Sequence, residues 1–376
     1  MKIIIAPDSF KGSLSAYEAA CAMSRGVTEV FPEAEVVSLP LADGGEGTAH
    51  VLTDALGGKM CECCVLDPMG REIKAAYGLV GDGRLAVVDV AAASGLMHVE
   101  ECERDALKAS SYGTGQLIHE ALNQGCREFI IGLGGSATTD AGVGMLSALG
   151  VRFYDESGNE LSPGGGSLRD LSYVDVTGMD NRISECRFVV MCDVENVLYG
   201  CSGAAYVFSP QKGALPGEVA LLDDGLRRFA HCVKALKGID VSGLRGGGAA
   251  GGIGVSLAVF LGAELKRGVD VALDAVGFCR HLENADMVLT GEGKLDEQTM
   301  MGKLPFGVLS HARRAGVPVV AFGGVVACKS RLLEVGFKDV LCINPTEIFS
   351  AEMLRRDVAS MNLTAAVSAY LRGVIR

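Results

Sequence analysis

The sequence predicts an α/β fold in two domains, a Rossmann-like parallel-sheet domain and a second, mixed α/β domain. Three observations carry this expectation. Short β-branched runs, apolar on both faces, recur along the chain, each followed by glycine or polar residues and then a helical pattern. That is the pattern of parallel strands covered by helices on both sides. The chain has 376 residues, more than one hydrophobic core ordinarily serves. Its middle changes character, toward successive strands and turn-rich segments.

In chain order, Ile3–Ile5 and Val36–Leu39 read as strands, with a helix between them capped by Ser15 ahead of Ala16-Tyr17-Glu18. Glu46–Leu56 fits the next helix. Lys59–Val90 looks like successive strands, with turns at Asp67–Gly70 and Gly81–Gly83. Ala106–Leu122 is helical in pattern and leads into a strand at Phe129–Ile131. Ser157–Gly213 carries many turn residues and few helical periods. Pro216–Leu236 and Pro305–Ala315 then fit helices, Met287–Leu289, Val317–Phe322 and Val340–Ile343 fit strands, and the last helix spans roughly Leu363–Arg372. The first domain is therefore expected to be discontinuous, 1–58 with 101–150 and 283–376, and the inserted mixed α/β domain to comprise 59–100 with 151–282.

Composition excludes several classes of function. Net charge is −12 with no basic cluster, which argues against a nucleic-acid groove or an anionic membrane surface. An anionic ligand must then be held by local donors. Met1–Ala6 is too short for a signal core, and the apolar run Val255–Ala263 is far below membrane-spanning length. Thirteen cysteines at irregular spacing point to a reducing cytoplasm. Cys61-Glu62-Cys63-Cys64 has no second pair to complete a zinc site and reads as a strand bearing thiols.

The most informative stretch is Ile130–Gly150, where an apolar run ends in glycines 132, 134 and 135, then Ser136, Ala137, Thr138, Thr139 and Asp140, and an amphipathic helix. Such glycines let a backbone approach a ligand with its N–H groups available, and a helix start favours an anion there. Gly132, Gly134, Gly135, Ser136 and Thr138 are thus candidate phosphate-binding residues. The same segment fits G-x-G-x-x-A, with Asp155 ending the next apolar run, so a dinucleotide site is the competing reading. Asp140 would repel a bare pyrophosphate but suits a phosphate that arrives with Mg²⁺.

Other acid-bearing loops follow strands. Asp8 and Lys11 stand after the first, as a metal or hydroxyl partner and a donor to a carboxylate or phosphate. Asp43 and Glu46 flank a glycine pair, and Asp193 ends the run Val189–Cys192 with Asn196 close behind. Asp193 is the first choice for a catalytic base and Asp43 the second. Gly246–Gly254 is expected to bring backbone close to a ligand. The Thr290–Thr299 loop offers Glu292 and Asp296 to a metal, with Lys294 available to a phosphate oxygen. No G-x-x-x-x-G-K-[ST], G-x-S-x-G or H-E-x-x-H occurs, and no histidine is assigned to catalysis. Several acid-bearing glycine loops at strand ends, expected to face one cleft between the domains, fit phosphoryl transfer, whose main needs are positioning and charge neutralisation.

The blocks APDSFKGSLSA, ADGGEGT, GLGGSATTDAGVGMLSALG, CDV-x-N, PQKGA, GGGAAGG and TGEGKLDEQT-x-x-GK-P, running in order from Ala6 to Pro305, resemble the signature blocks of the bacterial glycerate kinase family. The resemblance implies an ATP- and Mg²⁺-dependent kinase of D-glycerate forming 2-phosphoglycerate, with 3-phosphoglycerate the other product the substrate allows. It also implies two α/β domains with the active site between them, and leaves a homo-oligomer open. In one departure, Val197 stands where the family continues CDV-x-N with proline. A nicotinamide-dependent dehydrogenase of a small hydroxy acid, resting on the Gly132 fingerprint, and a non-catalytic regulator binding an acidic metabolite are the other readings carried forward.

Overall fold

In the computed structural model, residues 1–344 and 351–374 are described, so 345–350 and 375–376 of the expected first domain lie outside the described residues. Thirteen strands occur among them: β1 Lys2–Ile5, β2 Glu35–Ser38, β3 Lys59–Leu66, β4 Glu72–Val80, β5 Leu85–Asp89, β6 Glu128–Gly132, β7 Arg152–Tyr154, β8 Tyr173–Asp175, β9 Arg187–Met191, β10 Glu264–Lys266, β11 Met287–Leu295, β12 Val319–Val326 and β13 Asp339–Cys342. The chain divides into two units, 1–43 with 269–376 and 44–268.

The first unit holds a five-stranded sheet, β13-β12-β11-β1-β2, parallel throughout. Ile3, Ile4 and Ile5 are fully buried, as strands covered on both faces require. Ser15 caps the helix Ala16–Thr28 through a reciprocal pair: Glu18 N–H donates to Ser15 Oγ at 3.2 Å and Ser15 N–H to Glu18 Oε2 at 2.8 Å. Strand β11 runs on past Leu289 to Leu295, so Glu292 and Lys294 belong to a strand rather than a loop.

The second unit holds a mixed sheet, β10-β9-β6-β5-β4-β3, in which β4 runs antiparallel to both its neighbours, β3 and β5, and the other pairings are parallel. Residues 44–58 and 101–150 sit here, not with the first strand as the sequence suggested. The reason is pairing: β6 is a central strand between β5 and β9, and Asp89 at the end of β5 accepts from Gly47 and Ala49 N–H at the start of the helix Thr48–Ala55. Residues 269–282 belong to the first unit. The helix anticipated from Ala106 begins at Tyr112, because Ser111 donates from both N–H and Oγ to Asp140. The last helix, Arg356–Val374, is longer than its apolar pattern suggested. Cys61, Cys63 and Cys64 lie on β3 as free thiols. No described helix is long and apolar enough to cross a membrane.

Candidate active site

Parallel strands place their carboxyl ends, and the loops that follow, where ligands are bound. In the first unit β1 leads to Asp8, whose N–H donates to Gly291 O at 2.9 Å and whose Oδ1 accepts from Ser9 N–H at 2.6 Å. Thr290 Oγ1 donates to Ala6 O at 2.7 Å and ties β11 to the same loop. Asp8, Asp43 and Glu292 are close enough to repel one another electrostatically. Burial first, then the charges of Asp43 and Glu292, push the Asp8 carboxyl up to about 7, against a smaller opposing pull from Lys11. Burial likewise raises Glu292, with Asp296 and Asp43 adding to it.

Glu292 is 6 % exposed and is held on two sides. Thr299 Oγ1 donates to its Oε1 at 2.6 Å, and Lys303 Nζ lies 3.7 Å from Oε2. Lys303, from the GK-P block, is thus the cation beside Glu292. Lys294, the sequence candidate, is exposed and pairs with Asp296 at 3.1 Å. Asp296 also caps the helix Glu297–Met300 by accepting from Gln298 N–H at 2.9 Å, and the Lys294 ammonium first, then this N–H, hold its carboxyl below the usual range. Among the described residues, no group of three or more His, Cys, Asp or Glu side chains is placed to hold a metal ion. Both oxygens of Asp296 are thus engaged, Oδ1 by Gln298 N–H and Oδ2 by Lys294, which competes with the metal pair its spacing from Glu292 suggested.

In the second unit the glycine segment after β6 is built differently from the expectation. The helix following it is only Val143–Ala148, and it is largely buried rather than amphipathic. Asp140 is fully buried and accepts from Ser111 N–H (2.8 Å), Ser111 Oγ (2.8 Å), Gly142 N–H (3.1 Å) and Gly144 N–H (3.2 Å). The chain's own carboxylate therefore occupies the helix start, where an external anion was expected. A Cβ on Gly134 would lie 2.7 Å from Gly45 Cα, and one on Gly132 2.9 Å from Asp89 Oδ1. Gly251 backs onto Thr138 O, with Ala141 N–H donating to Gly251 O at 2.9 Å. These glycines let three loops interlock, so the close approach they permit is to protein backbone.

What the segment does offer is polar. Thr138 and Thr139 are fully buried and their hydroxyls have no hydrogen-bond partner. Beside them lies Lys212, 3 % exposed, whose Nζ donates to Ser136 Oγ at 2.9 Å and Thr138 O at 2.6 Å. Burial lowers the Lys212 ammonium to about 7, partly offset by the Asp140 charge. A buried cation next to orphan hydroxyls is an anion-seeking arrangement. Lys212 stands in PQKGA, yet nothing in that run signals burial. Asp89 was also missed; it is buried, raised to about 7 by desolvation, and ends an apolar run much as Asp193 does.

Asp193, two residues past β9, is exposed and accepts from Gly268 N–H at 2.8 Å. Asn196 Nδ2 donates to Ser202 O at 2.8 Å, and Gly248 N–H donates to Asn196 O at 2.9 Å, so the loop is pinned without the family's proline. Asp155 sits in the turn after β7, accepting from Ser157 and Asn159 N–H, and β7 pairs only with β8. It is not at the end of a parallel strand, which removes the acid a dinucleotide fingerprint needs.

Acid-bearing loops at the ends of parallel strands, with a buried lysine behind a hydroxyl-rich turn, define an α/β enzyme equipped for small anionic ligands. The chain belongs to the glycerate kinase family, whose model matches residues 3–372, and it is accordingly a kinase, a phosphate-transferring enzyme. It is 49% identical over 327 residues to the glycerate kinase of Bacillus subtilis, spanning 87% of this chain and 86% of that one. It is 45% identical over 324 residues to the glycerate 2-kinase of Escherichia coli, spanning 86% and 85%. A crystal structure assigned as glycerate kinase 2 from Salmonella typhimurium LT2 superposes with a TM-score of 0.91 at 44% identity, covering 100% of this chain and 98% of that one. None of these supports the dehydrogenase reading.

Proposed function

We propose that the chain phosphorylates D-glycerate at its 2-hydroxyl, using ATP with Mg²⁺. The observation that carries this reading is the crowding of Asp8, Asp43 and Glu292 at a buried place, where burial first and then the charges of Asp43 and Glu292 raise Asp8 to about 7. Like charges held together are relieved by a cation, and an all-oxygen donor set suits Mg²⁺, which commonly takes one or two carboxylates and completes its shell with water and phosphate oxygens. One or two of Asp8, Asp43 and Glu292 would hold it, water and phosphate oxygens completing the shell; bound there, the ion would supply charge neutralisation for the transferred phosphoryl group.

The remaining roles belong to side chains. Thr299 and Lys303 fix the orientation of Glu292. Lys11 donates to the glycerate carboxylate. Lys212, with Ser136 and the hydroxyls of Thr138 and Thr139, receives a nucleotide phosphate oxygen, while Gly132, Gly134 and Gly135 give this turn its shape. Asp193 accepts the proton of the attacking hydroxyl late in the reaction. Lys294 and Asp296 shape the turn after β11.

The test is ADP formation by purified protein with MgATP and D-glycerate, followed by phosphorus NMR of the product. A doublet from a secondary phosphate ester identifies 2-phosphoglycerate, and a triplet identifies 3-phosphoglycerate and moves the acceptor to the other hydroxyl. Folded protein that consumes no ATP under these conditions overturns the reading.

A further inference from the structure

Cys279, His311 and Asp270 form a hydrogen-bonded series within the first unit, from three separate helices: Phe278–His281, Leu304–Arg314 and Gly268–Ala275. Cys279 Sγ lies 3.5 Å from His311 Nδ1, and His311 Nε2 lies 3.3 Å from Asp270 Oδ1. A carboxylate at Nε2 selects the tautomer with its proton there, leaving Nδ1 as an acceptor that faces the thiol. The order is nucleophile, base, orienting acid. The ring side chain is 13% exposed and therefore fixed, whereas the thiol is open to solvent.

The other cysteines lack this arrangement. Burial raises the thiols of Cys63, Cys126, Cys186, Cys192 and Cys232, and a raised thiol is a poor nucleophile at neutral pH. Of the exposed ones, Cys102 points to the Glu100 carboxylate at 4.0 Å and Cys342 to Gly324 O at 3.4 Å, neither of which takes up a thiol proton readily.

We propose that Cys279 is a thiol-modification site, activated by the His311–Asp270 pair toward low-molecular-weight disulfides. The Cys279 proton passes to His311 Nδ1, and the sulfur attacks one sulfur of R–S–S–R. A Cys279–S–S–R bond forms, the original S–S bond breaks, and R–S⁻ leaves with the electron pair, taking a proton from the imidazolium. Cys279 is oxidised and the departing thiol is the reduced product, so the step needs no further reagent. The site lies outside the residues assigned to phosphoryl transfer and stands whether or not glycerate is the acceptor.

The test is site-resolved mass spectrometry of the whole protein treated briefly at neutral pH with iodoacetamide, or with oxidised glutathione as the disulfide. Cys279 is expected to react roughly three- to tenfold faster than exposed Cys64 and Cys201, since the imidazole beside it takes up the thiol proton as the sulfur attacks. His311→Gln should bring Cys279 to the rate of Cys64, and the difference should vanish in urea. Asp270→Asn, at a 39% exposed position, should lower the Cys279 rate without unfolding the protein and carries the test if His311→Gln does not fold. Equal rates at the three cysteines in the wild type, or a Cys279 rate unchanged in folded His311→Gln or Asp270→Asn, overturns the proposal.

Discussion

Replacing Lys212 by methionine tests the buried cation directly, because methionine fills a similar volume and carries no charge. Two opposing effects set the outcome near neutral pH. The wild-type side chain loses its proton at about 7 in the folded chain against an ordinary 10.5, so keeping it buried costs about 4 kcal/mol relative to a group that never ionises. The variant removes that cost but strips the donor from Ser136 Oγ and Thr138 O, at about 1–3 kcal/mol for each buried acceptor left unpaired. The stabilities should therefore be similar at neutral pH. They should separate as pH rises, since the unfolded chain keeps the Lys212 proton up to its ordinary value while the folded chain has already released it. A lysine whose folded value is depressed makes stability increase with pH through that window. From about pH 7.5 to about pH 9.5 the wild type should gain about 2 kcal/mol on the variant, or roughly 4–8 °C in Tm for a unit of this size. Calorimetry of both proteins at the two pH values measures the difference, and titrations common to both cancel. Parallel pH dependences would refute the assignment of a strongly desolvated Lys212, and unchanged ATP affinity in the variant would remove it from the phosphate site.

Three further outcomes are expected. Gly134→Val should lower thermal stability before any effect on ligand affinity can be read, because its Cβ meets Gly45 Cα at 2.7 Å; a folded variant with wild-type Tm would show that the loops are free to separate. Asp193→Asn should reduce kcat about a hundredfold and leave ATP affinity nearly intact, whereas near-normal turnover together with an inactive Asp43→Asn would move the proton acceptor to Asp43. In the absence of metal, Asp43→Asn should raise Tm by relieving the repulsion on Asp8 and Glu292 and should abolish the stabilisation that added Mg²⁺ gives the wild type; a lower Tm without metal would contradict that repulsion.

Features decided by neighbours in sequence were legible. Ser15 and Glu18 are three residues apart and cap each other, and the isoleucines at 3–5 declare a strand buried on both faces. What required partners distant in sequence was not. Nothing in Phe129–Ile131 says which sheet it joins; Ile130 pairs with Val87 and Val189, both far along the chain, and that choice moved residues 101–150 into the inserted unit. Glycine patterns were legible as positions needing space and ambiguous as to what fills it. At Gly134 and Gly251 the occupant is another loop's backbone. Lys212 was invisible for the complementary reason, since one lysine in a turn-rich segment reads as exposed until the Ser136–Thr138 turn is folded over it.

The acids show most plainly how folding sorts residues that look alike in sequence. Asp140 and Asp43 each stand beside glycines, yet Asp140 is met by three N–H groups and a hydroxyl, enough to satisfy a buried carboxylate internally and leave it no capacity for a ligand. Asp8, Asp43 and Glu292 instead lie within electrostatic reach of one another, and burial first, then the other two charges, lets the Asp8 carboxyl hold its proton to about 7. A fold seeking only stability would separate or neutralise such a group, so repulsion among carboxylates at strand ends is a cost that a bound cation can recover. The same criterion, applied to Glu292 and Asp296, separates two residues only four apart: Asp296 has a backbone N–H and Lys294 to itself and is a cap, while Glu292 is held by Thr299 and Lys303 against the carboxylates it repels. On the proposed function, the donors each carboxylate already has, rather than its place in a motif, favour Glu292 over Asp296 as a ligand of the cation and leave Asp296 to the turn.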